Sequence, residues 1–266
     1  MAEITDPALE LAELCDRLNV EVRMQGDAFL AEAFEVDPWS SEFFQIVSSI
    51  GQRIVALSSI LDNLNGNPVV IRGAQDHLFQ INQAFHLNSF TRPWIGTGQK
   101  FVGPEHSSPI RMLSMAMPAE YRYPKLTGEE ALELIQLVDQ LLEWLKEHQL
   151  NERDFIRESL IEGLENFLFR LNKLHWFGWG YSIESLRDVI LAYVTLERGL
   201  DEAANPDASA LLRKTASTLQ KIFAYAGVVK EAFETSDWLI GAARIVLKTG
   251  TGPAVGYVAG FLTSID

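Results

Sequence analysis

Phe43, Val47, Ile50, Ile54, Leu57, Leu61 and Leu64 follow one another at intervals of 4-3-4-3-4-3. Apolar residues at that interval line one side of an α-helix, and so long a seam has to be covered by other helices. A strand cannot use the pattern, because its side chains alternate with a period of two. Ile71, Ala74, Leu78, Ile81 and Phe85 continue it at 3-4-3-4, and Asn65-Gly66-Asn67-Pro68 between the two runs is turn chemistry. Residues 41–87 are therefore expected to form an antiparallel helical hairpin.

The rest of the chain points the same way. Asp6-Pro7 pairs an N-cap residue with a proline suited to the first helical position. A helix follows through Leu9, Leu11, Leu14 and Leu18 and resumes to Phe34, until Asp37-Pro38 breaks it and Ser40 or Ser41 caps the next. Thr127 and Glu130 have the spacing of a capping box ahead of Leu134, Val138, Leu141 and Leu145. Asn151 opens a helix with Ile156, Leu160, Leu164, Phe167, Leu171 and Leu174 inward. After a turn at 175–182 comes a helix from Ile183 to Leu200. Beyond Asn205-Pro206-Asp207, a further helix turns Leu212, Ala216, Leu219, Phe223 and Ala226 inward. Ser236 or Asp237 caps a segment over 238–248, and Pro253 opens a last short helix. No stretch alternates with a period of two, so β content is expected to be near zero.

Residues 91–126 interrupt this rhythm. They hold five of the ten prolines, and no helical period survives there. The fold class expected is all-α: a multi-helix bundle in two helical parts joined by a long Pro-rich arm. Residues 1–90 are a helical hairpin region, 91–126 the arm, and 127–266 a bundle ending in a Gly-rich apolar helix.

Composition narrows the function. Apolar residues make up 47% and charged ones 22%, the mixture of a folded chain rather than a disordered one. Against 22 Lys and Arg stand 36 Asp and Glu, and the net charge of −14 opposes nucleic-acid binding. One cysteine excludes an internal disulfide framework and a Cys-based zinc knuckle. The first 37 residues carry ten acids and only Arg17 and Arg23, unlike a secretory signal, so a cytoplasmic location is expected.

Sites for chemistry are scarce. His77, His86, His106, His148 and His175 make neither a metalloprotease pair nor the Glu-x-x-His spacing of di-iron bundles. His148 and Glu152 are four apart, but a helix start falls between them. Gly96-Thr97-Gly98 lacks the preceding strand and third glycine of a nucleotide loop. Acidic pairs such as Glu129/Glu130 and Glu162/Glu165 read as solvated helix faces. No catalytic residue, metal or cofactor is expected.

Three features stand above this background. His175-Trp176-Phe177-Gly178-Trp179-Gly180-Tyr181 packs four aromatic rings into seven residues. It is either a corner that plugs a bundle or an exposed anchor for a protein partner or a membrane interface, through Trp176, Trp179 and Tyr181. The arm is locally basic, with Arg92, Lys100, Arg111, Arg122 and Lys125 against Glu105 and Glu120. It either folds back on the acidic N-terminal region or grips a second molecule, with Trp94 and Arg111 as contacts. Finally, Thr249–Ile265 is uncharged, and Gly252, Gly256 and Gly260 recur at four-residue spacing beside Tyr257 and Phe261. Such spacing lets another helix approach closely. From Pro253 to Ile265 a helix spans about 20 Å, short of a hydrocarbon core of ~30 Å.

The function expected is non-catalytic: an acidic helical protein acting by assembly with a protein partner or with copies of itself. The alternative is a membrane-perturbing effector that stores its C-terminal apolar segment, 238–265, in a soluble state.

Overall fold

The computed structural model describes residues 3–64, 68–148, 154–198 and 206–225. It is mostly helical, with the helices packed as a bundle. The described residues fall into two compact units. The first is Thr5–Arg122 together with the tetrapeptide His175–Gly178, and the rest make up the second.

The first unit holds α1 (Pro7–Leu18), α2 (Gly26–Phe34), α3 (Ser41–Asp62), α4 (Pro68–Gln83), α5 (Leu87–Phe90), α6 (Gly98–Val102) and α7 (Pro104–Leu113). Asp6 caps α1 by accepting from the amides of Ala8 and Leu9, and Ser40 caps α3 by accepting from Phe43. α3 packs on α4 as the hairpin pattern requires. Its buried face differs in detail from the expected seam. Ile46 is fully buried where Val47 was expected, Leu64 lies past the end of the helix, and Arg53 joins the interior. A strict 3.5-residue repeat drifts around a helix of 3.6 residues per turn, and a single unsupercoiled helix follows the latter.

Residues 91–126 are the main correction. Instead of a structureless stretch, residues 98–102 and 104–113 are helical. Pro104 occupies the first helical position of α7, where a missing N–H costs nothing. Pro109 sits inside the helix, and two prolines in ten residues hid its short buried face of Ser107 and Ile110. That face packs on α1. The segment ends in 3-10 turns at Ser114–Ala116 and Ala119–Tyr121.

In the second unit, α8 (Gly128–Glu147), α9 (Asp154–Asn172), α11 (Trp179–Glu184), α12 (Arg187–Arg198) and α13 (Pro206–Tyr225) share one core. The four-residue helix α10 (Leu174–Phe177) leads out of this unit, since His175–Gly178 belong to the first. Thr127 and Glu130 close the capping box at the start of α8. Leu134, Val138, Leu141 and Leu145 face Leu160, Leu164, Phe167 and Leu171, and Leu211, Leu219 and Phe223 complete the layer. The expected turn at 175–182 is instead two short helices broken at Gly178, and the next long helix starts at Arg187 rather than Ile183. Asn65–Asn67, the helix start at Asn151, Ala226 and everything after it lie outside the described residues. The strands β1 (Ile4–Thr5) and β2 (Tyr123–Pro124) form a two-residue ladder.

Candidate functional site

The loop between α2 and α3 holds two residues in the left-handed region. α2 ends with the Val36 amide bonded to the Ala31 carbonyl at 3.0 Å, a closure that needs a left-handed residue, and Glu35 supplies it at φ 54°. Four residues on, Trp39 is also left-handed, at φ 60°. Among the described residues these are the two non-glycine positions with positive φ. Such a conformation in a bulky residue costs on the order of 1–3 kcal/mol and persists only where the surroundings hold it.

Trp39 is held on two sides. Its indole N–H donates to Asp27 Oδ2 at 2.8 Å. Its ring centroid lies 6.0 Å from Phe43, 5.9 Å from Phe44 and 5.9 Å from Phe90. Phe43 and Phe90 are buried and form the floor, while Trp39 and Phe44 remain 42% and 48% exposed. Between Met24 and Gln52 the chain carries Asp27, Glu32, Glu35, Asp37 and Glu42 and no lysine or arginine. The aromatic step thus sits on an acidic stretch of chain, with Asp27 in contact with the ring. Sequence reasoning passed over it, reading Asp37-Pro38 only as a helix break. Trp39 in the turn just ahead of α3, followed by Phe44 on the side of α3 away from its buried stripe, was the available signal.

The aromatic corner divides between the two units. In the first, Phe177 is buried and Trp176 is half-buried, its ring 4.9 Å from Phe34. Arg53, only 7% exposed, donates from Nη1 to the Trp176 carbonyl at 2.5 Å, and its Nη2 lies 3.8 Å from Glu10 Oε2. Gly178 turns the chain there at φ 75°, and a Cβ on it would fall against the Glu10 carboxylate and 2.9 Å from Arg53 Nη2. In the second unit, Trp179 is buried against Phe167 and Tyr181 is half-buried beneath the Arg170 guanidinium, 4.6 Å from its centroid. These environments are those of packing residues.

Trp94 is fully buried in the first unit, donating from Nε1 to the Leu18 carbonyl at 3.0 Å. Its ring fills the space where Gly98 would carry a Cβ, so the Gly96-Thr97-Gly98 fragment serves packing. Arg111 forms an ion pair with Asp16 of α1, to which Ser107 also donates at 3.2 Å, and Ser114 donates to Asp6. Of the two readings of the basic segment, these contacts favour folding back on the acidic N-terminal helix. Gly252, Gly256, Gly260, Tyr257 and Phe261 lie outside the described residues. Among the described residues one helix, Ser41–Asp62, is long and apolar enough to cross a membrane, and its apolar side is the core face of the first unit.

Two titratable clusters were invisible in the sequence, because their members come from separate stretches of chain. His77 of α4 and His106 of α7 meet with their Nδ1 atoms 3.1 Å apart. One imidazole donates to the other, which keeps at least one of them neutral. Burial and the neighbouring imidazole lower the pKa of His106, and Glu105 partly restores it. In the second unit, burial pushes the Glu184 carboxyl up to about 7 despite Arg170 and Arg187 nearby. The same burial lowers the pKa of Arg170, which donates to the Tyr181 carbonyl at 3.0 Å. Cys15 is buried, and burial beside Asp16 pushes its thiol to about 12, a protonated and unreactive state at neutral pH. Among the described residues no three metal-ligating side chains converge.

No protein-family model, curated protein or solved structure matches this chain.

Proposed function

We propose that the protein is non-catalytic and works by assembling with another protein, through the surface around Trp39 and Phe44. One observation carries this reading: a tryptophan held in a costly backbone conformation, fixed by Asp27 and three phenylalanines, and still left 42% in solvent. Strain kept at a solvated aromatic residue gains little for the fold, whereas a pre-positioned exposed tryptophan is what the centre of a protein interface uses. Large aromatic rings bury much area there at little entropic cost.

The test is size. Sedimentation and gel filtration of the full chain, alone and in extract of its native host, are compared for wild type, Trp39→Ala and Phe44→Ala. Wild type is expected to migrate in the extract as a complex well above its own 29.8 kDa. Both variants are expected to lose that complex while keeping their melting temperatures. Identical migration of all three proteins, at the size of the isolated chain, would defeat the proposal.

A further inference from the structure

The margin of the patch identifies the chemistry of its occupant. Trp39 has its indole N–H engaged by Asp27 and is still 42% exposed, so a partner meets its π-system rather than its polar atom. The π-face of tryptophan attracts a lysine ammonium or an arginine guanidinium placed within about 6 Å of the ring centroid. Asp37 and Glu42 flank it in sequence, both exposed, and neither has an ion-pair partner among the described residues. Arg92, the cation nearest in sequence to Phe90, is exposed and also forms no ion pair there. Phe44, 48% exposed beside the indole, supplies an apolar seat next to the cationic one.

We propose that this surface binds a basic segment of a different protein, with a lysine or arginine against the indole of Trp39, an apolar neighbour on Phe44, and further cations paired with Asp37 and Glu42. The proposal rests on the assembly reading above and names the partner of that same site. A second copy fits poorly, because a two-fold contact through this patch would set its carboxylates against themselves in a chain of net charge −14. Nucleic acids and anionic membranes are repelled by the same margin.

The probe is a short fluorescein-labelled peptide of repeated Lys-Leu-Arg-Leu, with Glu-Leu-Glu-Leu as its acidic counterpart, titrated with the full chain and read by anisotropy. Wild type is expected to bind the basic peptide and not the acidic one, more weakly as salt screens the charges. Trp39→Ala is expected to weaken binding roughly tenfold. Asp37→Lys with Glu42→Lys, both at exposed positions that leave the core untouched, is expected to abolish it. The same charge change at the exposed Asp139 and Glu143 of α8 is expected to alter affinity by no more than about twofold, the size of a bulk-charge effect. Equal losses at the two pairs of positions, or no loss with Trp39→Ala, would overturn the proposal. Cross-linking from the neighbouring exposed position 45, with Trp39 intact, in the host extract separates the two levels. A basic contact peptide supports both. A Trp39-dependent complex whose contact peptide is neutral, acidic or from a second copy overturns the partner and leaves the assembly reading standing. The absence of any Trp39-dependent complex overturns both.

Discussion

The two units are built from the same kind of element but closed by different means. In the second, long helices meet along leucine-rich stripes that build the shared core of α8, α9, α11, α12 and α13, with Ser182 and Thr215 buried beside them. Its buried arginine, Arg157, serves the end of α8 by donating to the Leu145 carbonyl at 2.8 Å. In the first, many shorter elements are joined through buried polar groups. Asp6 is 2% exposed and holds both α1 and Ser114, Trp94 is tied to Leu18, and Arg53 joins Glu10 to the carbonyl of Trp176. An apolar stripe spreads its contribution over many contacts and tolerates the loss of a few. A buried ion pair concentrates its energetics in two side chains, and losing one strands the other.

The contrast can be broken by experiment, and the largest effect is expected in the first unit. Arg53→Met takes the guanidinium from beside the Glu10 carboxylate and from the Trp176 carbonyl, and is expected to cost about 3–5 kcal/mol in denaturant unfolding. Adding Glu10→Leu is expected to recover much of that loss. A double variant as unstable as the single one would show that the ion pair is not what holds α1 to α3. Leu164→Ala, in the centre of the second core, is expected to cost about 2–4 kcal/mol, with no single second substitution that rescues it. Gly178→Ala combines an unfavourable φ with a clash against Glu10 and Arg53, and is expected to cost about 1–3 kcal/mol. A melting curve unchanged by it would remove the tight approach of His175–Gly178 from the account.

The smallest effects sharpen the comparison by sign. Glu184 has its folded pKa raised above the ordinary carboxylate value of 4.5, to about 7. The folded state therefore binds the proton more tightly, and this contribution to stability is full below pH 4.5 and lost as pH rises to 7. Glu184→Gln is expected to flatten that slope and to stabilise the protein at pH 8 by roughly 1 kcal/mol, after allowing for the solvent that still reaches the carboxyl. His106 works the other way. Its folded pKa is below 6.5, so its contribution is full above pH 6.5 and is lost as pH falls. His106→Asn is expected to flatten the acid side of the melting-temperature profile. Acidification thus favours the second unit through Glu184 and disfavours the first through His106. Slopes of the same sign in the two variants would contradict that.

What could be read from the sequence follows the same division. α8 and α13 declare themselves through unbroken stripes, and Thr127 with Glu130 marks the start of α8, because each signal is local and repeated. α7 escaped because its prolines outweigh a buried face of two residues, one of them a serine. Arg53 escaped because an arginine within a helical pattern reads as solvent-facing, and its partner Glu10 is 43 positions away with nothing local to link them. The Trp39 loop escaped for a related reason: a sequence shows that a turn occurs at Asp37-Pro38, but not that the turn holds a ring out in the open. The basic segment was readable only as two alternatives, since charge alone did not say whether Asp16 or another molecule would meet Arg111.

The place of His175–Gly178 also sets a schedule for synthesis. The ribosome delivers Thr5–Arg122 first, yet the tetrapeptide that meets Arg53 and Phe34 arrives only after α8 and α9 have been made. Until then the nascent first unit holds an arginine without its carbonyl acceptor and an open apolar seat beside Phe34. Chains usually complete their N-terminal units before later ones emerge. Here the early unit waits on a late tetrapeptide of its own, so a nascent chain arrested before residue 175 is expected to be more open to proteases in the α1–α3 region than the finished protein.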